Sequence, residues 1–267
     1  MMAVCSGSAS GALVAYEGFD YSAGTDIDTQ TGGSSWNAGW SSPTGVSVDN
    51  PVNDLTYTGL PTIGNSLTNP LAGNVQNIER TWNATDLTGD GGEIWFSLMV
   101  NQASGSSDAG DELRFQIFQG GDSPIRNNGS DTMLSIDENG SLELWGMSGT
   151  TANATTSITT GANHLLVGQY IFSDTAGSDV WNLWVDPTIA GSLGAATLSA
   201  TGDIQLDGEA DGLASEILDL RFLRNEMNLD EIRIGTDYAS VIPEPTTSGL
   251  AALGTALIFA RRRRSIG

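Results

Sequence analysis

Residues 164–172 read HLLVGQYIF, and after a short polar gap residues 180–185 read VWNLWV. Each run is brief, rich in β-branched and aromatic residues, and bounded by Gly, Ser, Asp or Asn, which marks a strand rather than a helix. Side chains alternate across a strand, so Trp181 and Trp184 point to opposite faces, one into a core and one outward. The same pattern recurs at Glu93 to Val100 (EIWFSLMV), Glu112 to Gln119 (ELRFQIFQ), Thr132 to Ile136, Ser141 to Trp145, Ile217 to Phe222 and Leu229 to Ile234. From Ala12 to Asp237 no helical periodicity outlasts about two turns. Asp137-Glu138-Asn139-Gly140 reads as a tight hairpin turn, because Asn-Gly takes positive φ readily. The expectation is an all-β, two-sheet antiparallel sandwich over residues 12–240.

Charge narrows the function. The chain of 267 residues has 32 acids, 10 basic residues and no lysine. Residues 1–240 hold 31 acids against Arg80, Arg114, Arg126, Arg221, Arg224 and Arg233, a net −25, whereas residues 241–267 carry a net +3. A body this acidic repels phosphate backbones, so nucleic acid is excluded as a partner. Cys5 is the single cysteine, so no internal disulfide forms and a large core must hold the domain.

The basic end has an order of its own. Pro243, Glu244 and Pro245 form an extended segment without two of its backbone donors; an uncharged apolar stretch follows, and Arg261, Arg262, Arg263 and Arg264 close it. The arginines favour the cytoplasmic side of a membrane. The apolar run of about 13 to 15 residues is shorter than the roughly 20 of a spanning helix, so it reads as a short hydrophobic helix and a temporary anchor. Within the tail segment 241–267, residues Ile242 to Arg264 resemble the PEP-CTERM sorting signal of Gram-negative bacteria, with isoleucine at 242 where valine is common. That resemblance implies an exosortase-type processing enzyme as partner, passage through the inner membrane, and delivery to the outer surface or the extracellular matrix. Export calls for a signal peptide, yet residues 1–11 lack a basic start and a full apolar core. They read as a remnant of one, with Ala9-Ser10-Gly11 as the cleavage site; a lipobox at Cys5 is the alternative, with only four residues ahead of it.

The ends of the body carry a second resemblance. Ala15-Tyr16-Glu17-Gly18-Phe19-Asp20-Tyr21 and Asn228-Leu229-Asp230-Glu231-Ile232-Arg233-Ile234 are similar to the first and last strands of LamG-like, concanavalin A-like jelly rolls, and the 164–187 region matches their middle. This implies that the first and last strands lie side by side, which also hides a sheet edge.

Catalytic residues are not found. Glycosidases of this kind place paired carboxylates on one strand, but two and four residues after Glu93 stand Trp95 and Ser97. His164, the lone histidine, reads as a hydrogen-bonded edge residue, and no Gly-x-Ser-x-Gly elbow accompanies it. The candidate cation is calcium, at Asp207, Glu209 and Asp211, although Leu218 stands where the closing acid of such a loop belongs. Trp36, Trp40 and Trp82, placed in loops, are the candidates for stacking on a polysaccharide or matrix glycan. The leading expectation is a non-catalytic surface protein that binds carbohydrate; a purely adhesive protein and a divergent glycoside hydrolase are the alternatives.

Overall fold

In a computed structural model the described residues are 11–41, 46–48, 55–68, 75–83, 91–102, 112–119, 133–145, 154–175, 177–189, 193–202, 215–223 and 227–242. They form β1 (Leu13–Glu17), β2 (Ser47–Val48), β3 (Leu67–Thr68), β4 (Val75–Asn83), β5 (Glu93–Gln102), β6 (Glu112–Gln119), β7 (Met133–Asp137), β8 (Ser141–Trp145), β9 (Ala154–Ser157), β10 (Asn163–Ile171), β11 (Asp179–Val185), β12 (Leu198–Gly202), β13 (Ser215–Leu223), β14 (Met227–Gly235) and the one-turn helix α1 (Tyr238–Val241). One sheet runs β12-β11-β10-β5-β14-β3-β2, with β1 also paired to β14; the other runs β4-β13-β6-β7-β8-β9. Every pairing is antiparallel. The fold is therefore the expected two-sheet jelly-roll sandwich, and β1 lies against β14 as the terminal motifs implied.

Alternation builds the core. On β5, Ile94, Phe96, Leu98 and Val100 face the second sheet, and the Phe96 and Phe115 rings meet across it with centroids 4.7 Å apart. The intervening Trp95 and Met99 belong to a separate cluster on the outer face, with Leu165, Val167 and Trp184. Trp181 is fully buried in the main core, as expected. Trp184 does point the other way, but it is not exposed: Trp95 stacks on it at 5.5 Å, and only 9% of it meets solvent. Burial of such rings on both faces of one sheet supplies most of the stabilisation available without a disulfide.

Two local readings change. At the β7–β8 turn it is Gly140 (φ 75°) that takes the left-handed conformation, while Asp137 Oδ1 accepts from the backbone of Asn139 and Ser141. The strand β4 has no continuous apolar run, yet Ile78, Arg80 and Trp82 all turn inward and are buried. The short hydrophobic helix expected in the tail lies outside the described residues; ahead of it the one-turn helix α1 is capped by Asp237, whose Oδ1 accepts from Ser240 N at 2.8 Å. No helix among the described residues is long and apolar enough to cross a membrane.

Candidate functional site

The segment from Gly32 to Ser41 crosses the open edge of the sandwich and joins both sheets. On one side Ser34 and Tyr16 of β1 exchange backbone hydrogen bonds of 2.9 and 3.2 Å. On the other, Asn37 N donates to Thr81 O, and Ser41 and Glu79 of β4 exchange a pair, all at 2.9 Å. Gly33 permits the first stitch: its φ is 72°, and a Cβ there would collide with the Tyr16 carbonyl oxygen. Ser35 and Thr29 adopt positive φ (65° and 64°) without being glycine, a conformation that costs about 1–3 kcal/mol and persists only where neighbours enforce it.

Beneath this segment a buried ion pair links the sheets. Glu17, at the end of β1, is fully buried; Oε1 accepts from Phe19 N at 2.8 Å, and Oε2 accepts from Tyr21 Oη at 2.9 Å, Trp40 Nε1 at 3.1 Å and Arg80 Nη1. Arg80 donates its remaining groups to the crossing segment, Nε to Ala38 O at 3.0 Å and Nη2 to Gly32 O at 2.7 Å. Its guanidinium lies 4.9 Å from the Trp36 ring and 5.4 Å from the Trp40 ring, so cation–π attraction joins the ion pair. Burial first, then the Glu17 charge, pushes the Tyr21 phenol up to about 12.

This arrangement corrects two of the three aromatic candidates. Trp40 (2% exposed) and Trp82 (1%) are core residues, and Trp82 sits on a strand, so neither offers a face to a ligand. Trp36 is only half-buried. Its Nε1 donates to Tyr16 O at 2.8 Å, and the Trp82 ring meets it edge-on at 6.1 Å. Beside it opens a cavity of about 160 Å³, lined among others by Thr31, Gly32, Ser35, Asn37 and Arg80.

The other sequence candidates fall elsewhere. Asp207, Glu209 and Asp211 lie outside the described residues, as do Pro243, Glu244, Pro245 and Arg261 to Arg264. Among the described residues no three His, Cys, Asp or Glu side chains converge as metal ligands. His164 opens the central strand β10 rather than an edge; Nδ1 lies 2.6 Å from Asp186 Oδ2, and Nε2 lies 3.0 Å from the Thr159 carbonyl, with no serine between. Glu93 Oε2 accepts from Trp95 Nε1 at 2.7 Å and Gln169 Nε2 at 3.0 Å.

On the outer face α1 delivers the chain to its tail. Val241 is fully buried and Ile242 is 3% exposed; Ser97 Oγ donates to Val241 O at 2.7 Å, and Tyr238 packs edge-on against Trp95 at 6.0 Å. Val241 and Ile242 thus pack on the folded unit, and the Pro-Glu-Pro segment follows at once in the sequence.

Residues 241–264 match the PEP-CTERM protein-sorting motif. The PEP-CTERM match begins on the two residues that the sandwich buries. Solved structures similar to the chain include a conserved carbohydrate esterase from the Shiga toxin-encoding bacteriophage phi24B (14% identity, 86% of this chain and 100% of that chain covered, TM-score 0.48). A protein of unknown function from Shewanella oneidensis MR-1 gives 13% identity, 85% and 87% coverage and a TM-score of 0.48. Lectin II from Ulex europaeus gives 11%, 79% and 96%, and 0.43. No curated protein matches the chain in sequence.

Proposed function

We propose that this chain is an exported, non-catalytic protein of the cell surface or extracellular matrix, sorted by an exosortase-type enzyme through its PEP-CTERM tail, with a sandwich body that binds carbohydrate. The observation that carries the proposal is the tail itself: a matched sorting motif at 241–264 attached without a spacer to a folded, strongly acidic domain. The acidity keeps such a body soluble and apart from anionic polymers. Binding is supported by the half-buried Trp36 at the mouth of a cavity, since an aromatic ring beside polar groups suits the apolar face and the hydroxyls of a sugar.

Mass spectrometry of the protein from its native source tests the sorting route. The expected mature chain ends near Pro243, beyond the buried Ile242, and lacks Arg261 to Arg264. A surface-located protein that retains the arginines would contradict processing.

A further inference from the structure

We propose that the cavity beside Trp36 is a site for one neutral pyranose ring, the terminal or branch sugar of a polysaccharide. This rests on the carbohydrate-binding reading above and assigns it a place and a ligand class. The Trp36 ring is held by its hydrogen bond to Tyr16 O, by Arg80 at 4.9 Å and by the edge of Trp82, so it needs no further ordering when a sugar arrives. Around it, the exposed residues Thr31, Ser35 and Asn37 line the cavity. Two hydroxyls and one amide can each donate and accept, as sugar hydroxyls do.

Size and charge fix the class. Pockets for drug-sized ligands run to about 300–1,000 Å³; about 160 Å³, open to solvent on one side, suits a single ring. Arg80 contributes no free charge, because all three of its nitrogens are engaged and Glu17 neutralises it. A carboxylated or sulfated sugar finds no counter-charge there, and the body's net −25 repels the polymer that carries it. The positive φ of Ser35 fits a backbone held for a ligand by the stitches to β1 and β4.

The experiment is a glycan array probed with the full chain and with its Trp36→Ala, Asn37→Ala and Ser35→Gly variants, the last of which relieves the strained φ and so tests binding without threatening the fold. The wild type is expected to bind polymers with neutral termini, to be competed by a free neutral monosaccharide and not by a uronic acid, and to ignore sulfated polymers. Each variant is expected to lose roughly tenfold or more in affinity. Binding that survives in all three variants overturns the site while leaving carbohydrate binding intact. Binding to sulfated or uronic glycans overturns the ligand class. A wild type that binds no glycan overturns the carbohydrate-binding reading and the site with it.

Discussion

Glu17 and Glu231 are both fully or almost fully buried, and both meet an arginine and a tyrosine hydroxyl, and Arg80, the arginine of the Glu17 pair, also lines the cavity beside Trp36. At Glu231 the ring closes compactly: Oε1 accepts from Tyr16 Oη at 3.0 Å and Ile63 N at 2.8 Å, Oε2 accepts from Arg233 Nη2 at 2.7 Å, and the guanidinium lies 4.4 Å from the Tyr16 ring. Glu231 itself has a φ of 52° and lies at the bulge where β14 shifts register against β5, so the pair pins a backbone irregularity within one sheet. At Glu17 the arginine comes from the other sheet, and two of its three nitrogens serve carbonyls of the crossing segment. The Glu231 pair locks a strand; the Glu17 pair holds a loop whose residues, with Arg80, line the cavity beside Trp36. The same chemistry gives a staple in one place and a candidate site in the other.

The sharpest way to break this contrast is to remove one arginine at a time. Arg80→Met leaves a buried carboxylate without its cation and releases Gly32 and Ala38, and is expected to cost about 3–5 kcal/mol in urea unfolding. The double variant Glu17→Gln/Arg80→Met should recover part of that loss, since no charge is left buried; a double variant no more stable than the single one would show that the loop, not the ion pair, carries the energy. Arg233→Met is expected to cost about 2 kcal/mol, because Glu231 keeps its bonds from Tyr16 and Ile63 and Nε of Arg233 has no partner to lose among the described residues. Equal losses for the two arginines would erase the distinction.

This ranking also explains what could be read from the sequence. The runs at 93–100, 112–119, 164–172 and 180–185 read as strands because they are dense in apolar and aromatic residues, and the turn at 137–140 carries its own chemistry. The strand β4 was illegible because its inward series is Ile78, Arg80, Trp82, and an arginine there breaks the pattern unless its partner is known. That partner, Glu17, lies 63 positions away. The tail was legible since its order is linear in sequence, whereas Trp36, Trp40 and Trp82 could be told apart only by their burial. Cross-strand pairs such as Glu93 with Gln169 likewise depend on register, which no local motif records.

A gentler probe is alkaline titration. Burial and the adjoining glutamates raise the phenols of Tyr16 and Tyr21 above the usual tyrosine value of 10, Tyr21 to about 12. The folded state then holds these protons more tightly than the unfolded chain, so stability is complete below about pH 10 and falls as pH rises from 10 toward 12. The melting temperature should drop over that window, and Tyr21→Phe should flatten the part of the drop that belongs to the Glu17 pair. A melting temperature constant across that window would mean that neither phenol is raised by its burial beside a glutamate.

The cavity beside Trp36 is the proposed place where a sugar binds. Calorimetric titration of a neutral glycan into wild type, Trp36→Ala and Tyr16→Phe tests this most directly, because Tyr16→Phe removes only the hydroxyl at the Glu231 pair. Heat of binding in the wild type and in Tyr16→Phe, with a loss of roughly tenfold or more in affinity for Trp36→Ala, is the predicted result. An undiminished affinity in Trp36→Ala would contradict it.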